Sequence, residues 1–214
     1  MPGIDLSLCV ILDRAFEPEI TPEELSAQVV ANGATCIQVR LKNDDGRGIR
    51  DFAVRVLGVA RPAGVPVIVN DRLDVALAVG AEGVHLGEDD LPVADARRLG
   101  GPGLIIGASA RSVEEALRAR DDGADYIGVG PVFETPLKPG VRPVSPEVIP
   151  AIRRIISLPI VAIGGINEAN LHVPLEQGAD GIAVISALHQ CPSPGIATSR
   201  LKQALEQAKK NKKR

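Results

Sequence analysis

The amino-acid sequence predicts an α/β fold in a single domain, a closed (β/α)8 TIM barrel spanning residues 1–214. Eight short apolar stretches alternate with stretches typical of helices. Most of these apolar stretches are hydrophobic on both faces, as parallel strands covered by helices are. Hydrophobic residues make up 45% of the chain and aromatic residues only 2%, so the core must consist of Val, Ile, Leu and Ala, which fill parallel barrels.

The strands of this barrel can be placed by the residues around them. They are predicted near 6–12, 36–41, 66–70, 83–87, 104–109, 126–130, 159–164 and 181–186. A Gly-Ala pair recurs at 33–34, 80–81, 123–124 and 178–179, where glycine suits a left-handed helix cap. A flavodoxin-like sheet would need only five or six strands, and no Gly-x-Gly-x-x-Gly follows the first one, so a dinucleotide-binding fold is the weaker alternative.

The helices between the strands carry starting signals. Thr21-Pro22-Glu23-Glu24 offers an N-cap, a proline at the first helical position and early acids. Ser112-Val113-Glu114-Glu115 and Ser145-Pro146-Glu147 repeat this pattern. A last helix is expected from about Ser199 to Lys210, and the basic tail at 209–214 is expected to be its frayed, solvated end.

Composition and charge exclude several classes of function. The net charge is −3 although five positive charges lie in the tail, so the remaining chain would repel a nucleic-acid backbone. The cysteines at 9, 36 and 191 lack metal-binding spacing and suit a reducing cytosol. No leader is evident, and no apolar run approaches the ~18 residues of a spanning helix. We expect a cytoplasmic protein without nucleic-acid or membrane partners; an apolar outer helix face could serve as the interface of a homo-oligomer.

The second predicted strand ends in a row of polar side chains. Gln38, Arg40 and Lys42 share one face because side chains alternate along a strand, while Leu41 points to the helix side. Burying a guanidinium and an ammonium without partners is costly, so this face needs a bound anion or an acidic neighbour. Barrel enzymes keep their chemistry at the carboxyl ends of strands, and the polar face is predicted to lie there.

Acids follow the third and fourth predicted strands. Asn70 and Asp71 end strand three, and Asp89 and Asp90 follow strand four. Neighbouring strands lie ~4.8 Å apart, so Asp71 and one of the later acids could reach the same ion. Mg²⁺ takes one or two protein carboxylates and completes its shell with water and substrate phosphate. An aspartate after a strand often caps the next helix, and that is the role expected of Asp89.

Two further polar side chains belong to the middle strands. His85 lies one residue inside strand four and is expected either to hydrogen-bond within the barrel or to take part in catalysis. Ser109 ends the apolar stretch of strand five. Both would face the same barrel mouth if the strands are parallel.

The later strands end in features that suit anions. Ile163-Gly164-Gly165-Ile166 and Ala183-Val184-Ile185-Ser186 close strands seven and eight, and glycines there let backbone N–H groups approach a phosphate. A loop at 130–140 is long enough to be a lid or binding loop. Its Lys138 could reach over a bound pyrophosphate. Two phosphorylated ligands, one of them a pyrophosphate, would satisfy both sets of groups.

Taken in order, these residues resemble the thiamine phosphate synthase family over essentially the whole chain. The motifs are Gln-x-Arg-x-Lys at 38–42, Val-Asn-Asp-Arg at 69–72, Val-His-Leu-Gly-x-x-Asp at 84–90, Gly-x-Ser at 107–109, Gly-Pro-Val-Phe-x-Thr at 130–135 and Ala-Ile-Gly-Gly-Ile at 162–166. The sequence departs from the family at Leu137, where Ser or Thr is usual. One hydroxyl contact to a thiazole phosphate would therefore be missing.

The resemblance implies a Mg²⁺-dependent transferase that joins a hydroxymethylpyrimidine pyrophosphate to a thiazole phosphate. It assigns the pyrimidine pyrophosphate to Gln38, Arg40, Lys42, Asn70, Ser109 and Lys138. It assigns Mg²⁺ to Asp71 and Asp90, and the thiazole phosphate to Thr135, Gly165, Ile185 and Ser186. Arg40, Lys138 and Ser109 are taken as catalytic, because pyrophosphate leaves first and its charge must be stabilised without a general base.

Two alternatives stay open at this point. A sister branch resembles the synthases in fold and phosphate loops but acts as a thiazole tautomerase, which needs neither a pyrophosphate site nor magnesium. Its members tend to lose the Asn-Asp and later Asp elements, which are present here at 70–71 and 90. A non-catalytic phosphate-ligand binder with a regulatory role is the other alternative, since a fold does not fix an activity.

Overall fold

The predicted barrel is confirmed by the computed structural model, which describes residues 4–14, 19–137, 140–191 and 193–212. Eight parallel strands follow one another around a closed barrel, and the last strand pairs with the first. The strands are β1 Leu8–Leu12, β2 Cys36–Val39, β3 Val67–Asn70, β4 Gly83–Leu86, β5 Ile105–Ala110, β6 Tyr126–Val129, β7 Ile160–Ile163 and β8 Gly181–Val184. All eight lie where the sequence predicted them.

Helices cover the outside of the barrel. They are α1 Pro22–Ala31, α2 Gly46–Ala60, α3 Leu73–Val79, α4 Val93–Gly100, α5 Val113–Asp121, α6 Val148–Ile155, α7 His172–Glu176 and α8 Pro194–Lys212. Two short 3₁₀ helices, Arg61–Ala63 and Ser186–Gln190, add to them. Among the described residues, no helix combines the length and apolarity needed to cross a bilayer.

The core has an outer and an inner layer because side chains alternate along each strand. In β2, Ile37 and Val39 pack in the large cluster between strands and helices, together with Leu41 just beyond the strand. Cys36 and Tyr126 belong to the small cluster inside the barrel. The expectation that Leu41 points to the helix side is therefore confirmed.

The helix starts show where the sequence signals held and where they failed. Thr21 forms the expected capping box with Glu24, and Ser112 caps α5 by accepting from the backbone N–H of Glu115. The prediction at 145–147 was wrong in detail, since Ser145 accepts from the N–H of Glu147 in a turn and α6 begins only at 148 without a side-chain cap. The last helix begins at Pro194, earlier than predicted, because Ser193 accepts from the N–H of Ile196.

The Gly-Ala pairs mark a fourfold repeat at the amino ends of the strands. All four glycines have the expected left-handed backbone, with φ between 63° and 113°. The residue after each pair accepts the N–H of a residue that opens the preceding strand, so each pair ties two strands together. These bonds join Thr35 to Leu8, Glu82 to Val67, Asp125 to Ile106 and Asp180 to Ile160.

Three arginines, Arg61 just after α2, Arg97 in α4 and Arg153 in α6, add to three of these four units. Arg97 of α4 donates to the carbonyl oxygens of Leu104 and Gly123 at 2.7 Å and 2.9 Å, and it pairs with Asp125 at 2.6 Å. Equivalent bonds join Arg153 to Leu158, Gly178 and Asp180, and Arg61 to Gly80 and Glu82. Charge-assisted hydrogen bonds are the stronger kind, so the amino-terminal end of the barrel is held by a repeated clamp.

We expect Arg97→Ala to lower the free energy of unfolding by about 2–4 kcal/mol, because Asp125 and three carbonyl groups lose a charged donor. Arg98→Ala is the matched control, since that side chain is 69% exposed in a surface ion pair and should change the stability by no more than about 0.5 kcal/mol. Urea denaturation of both variants makes the comparison. Equal denaturation midpoints for the two variants would contradict a stabilising role for the contacts of Arg97.

Candidate active site

A pocket of about 330 Å³ opens at the carboxyl-terminal end of the barrel, opposite the clamp. Every predicted site residue that the structure describes lines it, while Lys138 lies outside the described residues. From the early strands these are Gln38, Arg40, Lys42, Asn70, Asp71, Asp90 and Ser109, and from the later ones Thr135, Gly165, Ile185 and Ser186. The polar strand ends therefore meet at one mouth, as predicted.

Two carboxylates meet at the ends of β3 and β4. Asp71 and Asp90 lie within hydrogen-bond reach of each other, and burial together with the Asp71 carboxylate raises the pKa of Asp90 above its usual value. Asp90 also accepts the N–H of Gly87 at 2.7 Å. The described residues contain no group of three or more His, Cys, Asp or Glu side chains that could hold a metal. An isolated carboxylate pair suits a cation that completes its shell with water and phosphate oxygen.

The backbone of Asp71 is unusual. Its φ is 64°, in the left-handed region, where no other described residue except glycine lies. Its N–H donates to the carbonyl oxygen of His85 at 2.8 Å, which fixes the end of β3 against β4. Left-handed backbone is costly for most L-residues, and such strain tends to occur at functional sites.

The cations of the β2 end each face an acid. Lys42 forms an ion pair with Asp71, and Arg40 pairs with Asp13 at 3.1 Å. The side chains of Arg40 and Asp13 are only 18% and 10% exposed. The acidic neighbour that burial of Arg40 required is thus Asp13, which follows β1 and was missed in the sequence although it occupies a strand end.

Amide and hydroxyl groups fill the wall between these charges. Gln38 donates from Nε2 to Oδ1 of Asn70 at 2.8 Å, which leaves an acceptor on Gln38 and a donor on Asn70 for a ligand. His85 bonds through Nε2 to the Ser109 hydroxyl at 3.1 Å and through Nδ1 to Tyr126 Oη at 3.0 Å. Of the two roles expected for His85, the structure shows the hydrogen bonding within the barrel.

The other side of the mouth is formed by the glycine turn after β7 and the end of β8. Gly164 and Gly165 have φ values of 98° and 66°. The Gly164 oxygen accepts from the N–H of Phe133, and the Gly165 oxygen accepts from Asn170 Nδ2, both at 3.0 Å. Because both carbonyl groups are bonded elsewhere, the backbone groups that remain for a ligand are N–H donors, which suit an anion. Ser186 lies beside this turn in the pocket wall.

The loop after β6 brings Thr135 and Leu137 to the pocket. The N–H of Leu137 donates to Thr135 Oγ1 at 3.3 Å, and the Leu137 side chain packs against the inner apolar cluster. Arg111, from the end of β5, holds this loop by donating to the carbonyl oxygens of Gly130 and Arg142. Arg111 was missed in the sequence, where nothing distinguishes it from a solvated arginine.

The structure corrects one expectation for this end of the barrel. Asp89 was expected to cap the helix after β4, but α4 begins four residues later, with Pro92 at its N-cap and no side-chain cap. Asp89 instead lines the pocket next to Asp90. A turn at 87–90, closed by a backbone bond from Asp90 to Gly87, separates the strand from the helix and leaves Asp89 too far from the helix start.

Comparison with known proteins agrees with this arrangement. A family model described as thiamine monophosphate synthase matches residues 8–188. The thiamine-phosphate synthase of Caldanaerobacter subterraneus is 46% identical over 88% of each chain, and that of Chloroflexus aurantiacus is 48% identical over 86% of each. The solved thiamine phosphate pyrophosphorylase of Pyrococcus furiosus is 41% identical, with a TM-score of 0.87 over 96% of this chain and 98% of that one.

The closed parallel barrel and the polar mouth at its carboxyl end define a (β/α)8-barrel enzyme. The sequence matches then identify its family. The chain belongs to the thiamine monophosphate synthase family.

The left-handed backbone at position 71 gives a test of the site geometry. We expect Asp71→Asn to be more stable than Asp71→Ala by about 1 kcal/mol, because asparagine tolerates this conformation better than alanine and both variants remove the charge. At Asp95, inside α4, the order should reverse because alanine favours helix. Thermal or urea unfolding of the four variants decides the matter, and the same order at both positions would contradict the assignment.

Proposed function

We propose that this protein is a Mg²⁺-dependent transferase that moves a hydroxymethylpyrimidine group from its pyrophosphate to the nitrogen of a thiazole phosphate. The products are thiamine phosphate and pyrophosphate. Relatives named thiamine-phosphate synthases, 46–48% identical over most of both chains, support this activity. The observation that carries the proposal is the meeting of Asp71 and Asp90 at the mouth, beside the cations of the β2 end.

The acid pair fits the metal that the proposal requires. Asp71 and Asp90 come from neighbouring strands and repel each other when both are ionised, so a divalent cation between them would relieve an existing electrostatic cost. When bound, Mg²⁺ would supply positive charge to the departing pyrophosphate. Lys42 already balances part of this negative charge through Asp71.

Positively charged side chains of the protein itself are positioned to stabilise the negative charge of the departing pyrophosphate. Arg40 is oriented by its buried pair with Asp13, so little reorganisation is needed when a pyrophosphate arrives, which is the basis of electrostatic catalysis. Ser109 and Asn70 add neutral donors on the same side. The amino group of the pyrimidine can push electrons toward the carbon that loses pyrophosphate, so the step needs stabilised charge and no general base.

The opposite side of the mouth would hold the acceptor. The N–H groups of the glycine turn at 164–165 and the hydroxyls of Thr135 and Ser186 suit a monophosphate. Leu137 and Ile185 add apolar surface, which suits the thiazole ring. Since the early strands and the late loops line one pocket, the two substrates would be held next to each other.

The alternatives receive less support. A thiazole tautomerase would have no use for a partly buried pair of carboxylates beside Lys42 and Arg40, and the relatives compared above carry the synthase name. A regulatory phosphate binder would not need the cost of placing Asp71 and Asp90 in contact.

The same proposal includes a cytoplasmic location, which phosphorylated substrates favour, and self-association through helices α3 and α4, where Leu77 and Leu99 are 45% and 56% exposed.

Removal of either acid should abolish the activity. We expect Asp71→Asn and Asp90→Asn each to lower kcat by at least about 100-fold, as loss of other preorganised electrostatic groups does, and excess chelator to stop the wild type until Mg²⁺ is restored. Asp95→Asn, on the outer helix α4, is the control and should keep wild-type kcat. Pyrophosphate release with both substrates present is the measurement. Undiminished turnover in chelator would overturn the metal assignment.

The two sides of the mouth can be separated by kinetics. Ser186→Ala should raise KM for the thiazole phosphate by about tenfold, the effect of losing one hydrogen bond to a charged group, and leave KM for the pyrimidine pyrophosphate nearly unchanged. Gln38→Ala should show the reverse selectivity. Steady-state kinetics with each substrate varied in turn gives both constants, and equal effects on both substrates would count against two separate subsites.

A further inference from the structure

A chain of three hydrogen-bonding side chains runs from the barrel interior to the pocket. Tyr126 is 4% exposed and belongs to the inner apolar cluster. Its Oη lies 3.0 Å from His85 Nδ1, and His85 Nε2 lies 3.1 Å from Ser109 Oγ. Of these three side chains, Ser109 is the one exposed in the pocket. Which atom of each hydrogen-bonded pair carries the proton decides which way the Ser109 hydroxyl can point.

Tyr126 sets that order. Burial raises its pKa well above the usual value, so the phenol keeps its proton, and a buried O–H needs an acceptor. Within the described residues its hydrogen-bond partner is Nδ1 of His85. The phenol therefore donates to Nδ1, and a neutral imidazole that accepts at Nδ1 carries its own proton on Nε2.

The tautomer of His85 determines how the Ser109 hydroxyl is oriented in the pocket. In this tautomer, Nε2–H of His85 donates across the 3.1 Å contact to Ser109 Oγ, so the serine oxygen is used as an acceptor on the histidine side. Its own proton is then left to donate toward the pocket. With the other tautomer, Ser109 would donate back to His85 and would present only lone pairs, which an anion repels.

We propose that Tyr126 is a positioning residue, which fixes the tautomer of His85 and thereby turns the Ser109 hydroxyl into a donor toward the departing pyrophosphate. The part that concerns pyrophosphate rests on the proposed function. The proton order itself follows from the three side chains and does not depend on the reaction.

Glycines in the barrel interior leave space for the Tyr126 and His85 rings. A Cβ atom at Gly107 would collide with the Tyr126 ring, and one at Gly128 would lie 2.8 Å from Cε1 of His85. The two rings are 5.5 Å apart and tilted by 33°. Two glycines in neighbouring strands β5 and β6 thus leave room for two rings, as expected if the rings have to keep one relative position.

Nitrogen-15 NMR of histidine-labelled protein tests the proton order directly, because the chain has only three histidines. We expect the wild type to show His85 as the Nε2–H tautomer and Tyr126→Phe to show a shift toward a mixture of tautomers. The signal of His172, exposed on α7, should not move and serves as the internal reference for a change confined to His85, while circular dichroism checks that the variant is folded. An Nδ1–H tautomer in the wild type, or an unchanged His85 spectrum in the variant, would overturn the proposal.

Kinetics tests the effect on Ser109. Tyr126→Phe should lower kcat about tenfold, less than the loss of a whole donor, with little change in KM for the pyrimidine pyrophosphate. In a Ser109→Ala background the same substitution should cost nothing more, since the group it orients is absent. A further tenfold loss in that background would mean a general structural role and would overturn the proposal.

A second variant covers the case in which Tyr126→Phe does not fold. His85→Gln keeps an N–H donor near the position of Nε2 and needs no partner to fix a tautomer, so it should retain more kcat than His85→Leu by about tenfold. Equal kcat in the two would contradict the role of Nε2–H. If the wild type releases no pyrophosphate at all, the proposed function fails, while the NMR result still decides whether Tyr126 fixes the tautomer.

Discussion

The closing of β8 onto β1 is the constraint on which the rest of this structure depends. Because a helix returns the chain after each strand, all eight strands run parallel, so that in the closed barrel everything following a strand meets at one end and everything preceding a strand meets at the other. The charged groups have been divided accordingly. Arginine clamps on backbone carbonyls and acids lie at the amino-terminal end, and groups suited to a ligand lie at the carboxyl-terminal end. Stability and chemistry thus use separate surfaces of one barrel.

Much of the fold and of the site could be predicted because strands and helices alternate regularly along the sequence. Glycine caps before every second strand fixed the number of strands, and alternation along β2 was enough to separate Gln38 from Leu41. The nearness of Asp71 and Asp90 followed from the adjacency of strands three and four. These predictions rest on local geometry and on the order of elements, which a closed parallel barrel leaves no freedom to change.

What could not be predicted depends on contacts between residues distant in sequence. Asp13 as the partner of Arg40, Arg111 as the support of the loop after β6 and Tyr126 as the neighbour of His85 each require the register of neighbouring strands. The wrong expectation for Asp89 has another cause. A residue that follows a strand was assumed to begin the next helix, whereas here a closed turn lies between them.

The space left by Gly107 under the Tyr126 ring limits the order in which substitutions can accumulate in this barrel. An aromatic residue could enter β6 only after its neighbour in β5 had lost its side chain, and a larger residue could return to β5 only after the ring had gone. The intermediate with two small residues would contain a void. The two positions should therefore change together or not at all during the divergence of related barrels.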